Sequence, residues 1–132
     1  MFPRPTRVLT RIGTLAGALL LFPAAVSAQM GNMPQGRDET VTGVVVDISC
    51  KFGQGLTGAE HRMCAQVCAD RGIPLAILAD DGTLYIPTTA AMPGDGQNAR
   101  LKEFAEQRVT VQGKTFAAGG ARAIQIATVK RS

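Results

Sequence analysis

All three cysteines and the only histidine of this chain fall between Cys50 and Cys68, nineteen residues out of 132. Sulfur so concentrated constrains the fold, because that stretch has to double back to close a bond or to surround an ion. Its second half reads as a helix. Thr57-x-x-Glu60 has the form of a capping box, in which Thr57 caps the N-terminus and Glu60 reaches back to it. Gly72 followed by Pro74 is a stop signal. On one continuous helix, His61, Cys64 and Cys68 stand at i, i+3 and i+7 and share a face. Cys50 is expected at the end of the preceding strand, from which a short glycine-bearing loop folds it back onto that face.

Cys50, His61, Cys64 and Cys68 are therefore the expected metal ligands. Three thiolates and an imidazole form a known structural zinc composition, although the spacing is not that of a standard zinc finger. Soft sulfur ligands also suit copper(I). Zinc is slightly favoured, because four ligands close the coordination sphere. The competing expectation is a disulfide from Cys50 to Cys64 or Cys68, worth about 2–4 kcal/mol, in an interaction domain without metal. A third expectation gives the leftover thiol redox work beside His61. The odd number of cysteines and the place of the histidine favour the ion. Covalent haem attachment is not expected, since no Cys-x-x-Cys-His is present.

The N-terminus carries Arg4, Arg7 and Arg11, then an apolar run over 12–22, then Ala24-Ala25-Val26-Ser27-Ala28. This is the pattern of a secretory signal peptide over 1–28, too short for a comfortable membrane span. A leader over 29–38 follows, and one domain over 39–130. Met30 and Met33 in the leader are read as composition rather than as copper ligands. Without the signal, eleven basic residues face ten acidic ones. That balance, one Tyr and no Trp argue against nucleic acid and against an anionic membrane as partners. The expected location is periplasmic or secreted, with a metal ion as partner and room for a periplasmic protein partner. No nucleophile–base–orienter set is visible, so an enzyme is not expected.

The domain reads as strand, helix, strand, strand, helix, strand, strand. Strands are expected over 39–49, 75–79, 83–87, 108–116 and 123–129, with helices after Thr57 and over 99–106. Gly43 suggests a bulge or bend and Gly113 a break, while Asp81-Gly82 marks a hairpin. Asp47 either caps the loop after its strand or supports His61. Leu101, Phe104 and Ala105 read as a plug for one end of the core, Tyr85 as packing, and Lys130–Ser132 as a frayed end. The expected class is mostly β: a five-stranded OB-like Greek-key barrel with a Cys/His-bearing helix inserted between strands one and two, and a short helix between strands three and four.

Five pieces carry a resemblance: Asp47-x-x-Cys50, His61-x-x-Cys64-Ala65-x-x-Cys68, Gly72-x-Pro74, Asp81-Gly82-x-Leu84-Tyr85 and Val109-x-Val111-x-Gly113. Together they resemble a group of small exported bacterial OB-fold-like proteins, over nearly all of 39–129. The resemblance implies export, a barrel, and a Cys/His set that belongs to the design. It brings no activity with it.

Overall fold

The computed structural model describes residues 34–132. The expected signal peptide and the methionines at 30 and 33 lie outside them. Five strands form the barrel: β1 (Arg37–Asp47), β2 (Leu75–Ala79), β3 (Leu84–Thr88), β4 (Arg108–Ala118) and β5 (Ala121–Arg131). They close in the order β1-β2-β3-β5-β4, with β4 returning to β1. All pairings are antiparallel except β3 with β5. This is the expected OB-like barrel. Among the described residues no helix is long and apolar enough to cross a membrane.

β1 has more buried positions than any other strand and is shared between two partners. Its first part pairs with β4 and its last part with β2, and the two ladders overlap at Gly43 and Val44, where Gly43 faces Val109 on one side and Ala79 on the other. A Cβ at Gly43 would stand 2.3 Å from the Leu78 carbonyl oxygen. The glycine therefore serves close backbone approach where the strand bends between ladders. Gly113 does the same on β4, where a Cβ would meet the Gln125 carbonyl oxygen at 2.3 Å, beside a register shift at Gln112/Gly113. The expected break at Gly113 is this shift of register within a continuous strand, since β5 pairs with β4 on both sides of it.

Other boundaries move for tertiary reasons. β1 begins at Arg37, inside the expected leader, because Arg37 and Asp38 pair with Thr115 and Lys114 of β4. Asp38 opposite Lys114 is a favourable cross-strand charge pair. The chain end does not fray at Lys130. β5 runs to Arg131, and Ser132 donates its N–H to the Arg108 carbonyl at 3.1 Å. Asp81 belongs to the β2–β3 turn, its Oδ1 accepting from the Thr83 N–H at 2.8 Å, whereas Asp80 pairs with Arg108.

Val45, Leu75, Ile77, Leu101, Val109, Val111 and Ile124 form the core, with Tyr85 packed among them. α3 (Asn98–Leu101) and the 3₁₀ turn after it (Lys102–Phe104) take the place of the expected single helix. Leu101, Phe104 and Ala105 are buried there, as a plug should be. Two helices rather than one separate β1 from β2: α1 (Ile48–Gln54) and α2 (Arg62–Asp70).

Candidate metal centre

Cys50 does not sit at a strand end. Asp47 closes β1 and caps α1, accepting the Cys50 N–H on Oδ1 at 3.1 Å. That cap turns Ile48 and Ser49 into helix, against their β-branched and polar pattern. Cys50 is thereby carried into the first turn of α1 and buried. Gly55, at φ 69°, ends α1 in the left-handed conformation that a helix C-terminus favours.

α2 presents Ala65 and Ala69 to the barrel, both buried. Cys64 and Cys68, each one position before them, lie one helical step round, so Cys64 is exposed and Cys68 half-buried. The end of α2 is a Schellman motif, as the glycine predicted. Gly72, at φ 89°, donates to the Ala69 carbonyl and Ile73 to the Cys68 carbonyl. Asn98 of α3 then staples this end: its Nδ2 donates to Ala69 and Ile73, and its Oδ1 accepts from the Leu75 N–H. Nothing local in the sequence singled out Asn98.

The predicted capping box does not form. Gly58 at φ 98° begins the 3₁₀ turn Ala59–His61 without a side-chain cap. Thr57 Oγ1 and the Gly58 N–H both donate instead to Glu106 Oε2, at 3.0 and 2.8 Å. Glu106 is held at φ 57°, unusual for a residue with a side chain. Its backbone is fixed there by N–H donation to the Val45 carbonyl at 2.8 Å. A carboxylate 48 residues away thus replaces the local cap. Glu106→Ala should lower stability by about 1–3 kcal/mol in urea unfolding, and Glu106→Gln, which keeps an acceptor, should lose less.

The sulfurs of Cys50, Cys64 and Cys68 lie within 4.8 Å of one another, and all three are free thiols. His61 is placed differently from the expectation of one helical face. It closes the 3₁₀ turn before α2 and groups with Asp47 and Cys50, not with Cys64 and Cys68. A ring nitrogen falls within 4.8 Å of a carboxylate oxygen of Asp47 and the sulfur of Cys50. Cys50 therefore belongs to both groups. His61 Nε2 and Asp47 Oδ2 are buried without hydrogen-bond partners.

Asp47 also governs the thiols. The Cys68 thiol is pushed up to about 12, first because the carboxylate favours the proton it can accept, then by desolvation and the carboxylate's charge. Cys50 is raised as well, by burial first and Asp47 second. The folded, metal-free protein thus holds these protons more tightly than the unfolded chain does. For Cys68 that stabilising contribution is complete below the ordinary thiol value of 9.0 and is lost as pH climbs toward about 12. The melting temperature of the metal-free protein should fall across that window, and less steeply in Cys68→Ser.

No family model matches the chain, and no curated protein or solved structure matches it. The fold and the chemistry of the cluster are what speak for a role.

Proposed function

We propose that the chain is an exported metal-binding module, periplasmic or secreted, holding one zinc or copper(I) ion through Cys50, His61, Cys64 and Cys68. The observation that supports this is the convergence of three free thiols within 4.8 Å, bordered by a buried imidazole whose Nε2 has no partner. Sulfurs bound to one ion at about 2.3 Å stand roughly 3.8 Å apart, so the cluster needs only a small contraction to close. An unpartnered buried imidazole is costly unless something takes its lone pair, and an ion does so. Cys64 at the surface gives the ion a way in. The module binds rather than catalyses.

The test is elemental analysis of the exported protein, together with intact mass before and after alkylation. About one equivalent of zinc or copper and three alkylatable thiols after chelation are expected. One bridge with one free thiol would overturn the reading in favour of a disulfide-stapled domain. His61→Ala should weaken metal binding about 10–100-fold. Unchanged metal content and melting temperature in that variant would remove His61 from the ligand set.

A further inference from the structure

Asp47 stands inside the cluster but outside the ligand set proposed above. Its side chain is fully buried. One oxygen is accounted for by the α1 cap, while the other has no partner and the carboxylate lies within reach of Cys50 and His61. No cation offsets it: among the described residues the ion pairs are Lys102 with Asp70 and Arg108 with Asp80. We propose that Asp47 sets the charge preference of the site, its buried carboxylate favouring a divalent ion of borderline softness, Zn²⁺, over copper(I). The inference rests on the metal-binding reading and deepens it.

Two arguments carry the preference, and both are independent of the cap. With three thiolates in one group and the Asp47 carboxylate joined to it through Cys50, a dication cancels two negative charges where copper(I) cancels one. Charge left over in a region shielded from water is expensive. The second argument is ligand type. An oxygen donor is an ordinary zinc ligand or close neighbour, whereas copper(I) gains from thiolates and little from a carboxylate. The three sulfurs alone would suit copper(I) well. The buried oxygen beside them is what such a site does not need.

The cap and the charge can be separated experimentally, because Asn caps helices as well as Asp does. Asp47→Asn keeps an oxygen for the Cys50 N–H and removes the negative charge. Zinc and copper(I) dissociation constants would be measured anaerobically, by competition with chromophoric chelators, for the mature protein and the variant. Zinc is expected to weaken about 10–100-fold in Asp47→Asn while copper(I) changes by less than about threefold. Equal losses for the two ions, or no loss for either, would overturn the inference while leaving the binding module intact. A wild-type protein that binds neither ion would overturn the module itself, and the inference with it. If circular dichroism shows Asp47→Asn unfolded, Asp47→Ser, also a competent cap, is judged by the same ratio.

Discussion

Cys50→Ser is expected to abolish metal binding, and with it the whole difference in stability between the loaded and the empty protein. Cys50 is the one residue common to the three-sulfur group and to the group containing Asp47 and His61. It is also the most enclosed of the sulfurs, so no solvent oxygen can take its place. Cys64 is exposed, and in Cys64→Ser a water can fill the vacated position. The two variants should therefore differ: Cys50→Ser retains no measurable ion, and Cys64→Ser retains a weakened one. An ion present at a thousand times its dissociation constant stabilises the folded state by about 4 kcal/mol. Thermal melts with and without chelator should show that gap for the wild type, a reduced gap for Cys64→Ser, and none for Cys50→Ser. The metal-free melts should nearly coincide, since serine fills almost the same space. Equal retention of the ion by both variants would show that burial does not rank the ligands.

Gly43→Ala is expected to be the most damaging single-methyl change in the barrel. The added carbon would stand 2.3 Å from the Leu78 carbonyl oxygen and 2.8 Å from the Ala79 Cα, both backbone atoms that no rotamer change can move. β1 cannot shift away, because at Gly43 it is paired on both sides. The result should be a loss of about 3 kcal/mol or more, read as a lower midpoint in urea. Gly53→Ala is the matched control. Gly53 lies in α1, its backbone is not at positive φ, and a Cβ there meets nothing within 4 Å. That change should be neutral or stabilising by roughly 0.5–1 kcal/mol. If both substitutions behave alike, the close approach at Gly43 is not what the glycine is for.

The barrel was legible in the sequence because strand and turn signals are local. β-branched runs, Asp81-Gly82 and the small apolar plug at Leu101 and Phe104 each declare themselves within a few residues, and their order suffices for an OB-like plan. Gly72 likewise ended its helix as written. The gathering of the thiols near one point was also foreseeable, since all three cysteines lie in one stretch.

What only the tertiary structure decided turns on which partner each group finds, three residues away in one case and far along the chain in another. Ile48 and Ser49 look like strand and become helix because Asp47 caps the turn that follows. Thr57 and Glu60 look like a capping box, yet Thr57 and Gly58 are claimed by Glu106, which stands just before β4. His61 looks like a member of the Cys64 and Cys68 face, but a 3₁₀ turn sets it beside Asp47 and Cys50. Local spacing states which side chains can share a face. A distant carboxylate, or a ladder that continues past a glycine, decides whether the chain adopts the winding that makes them do so.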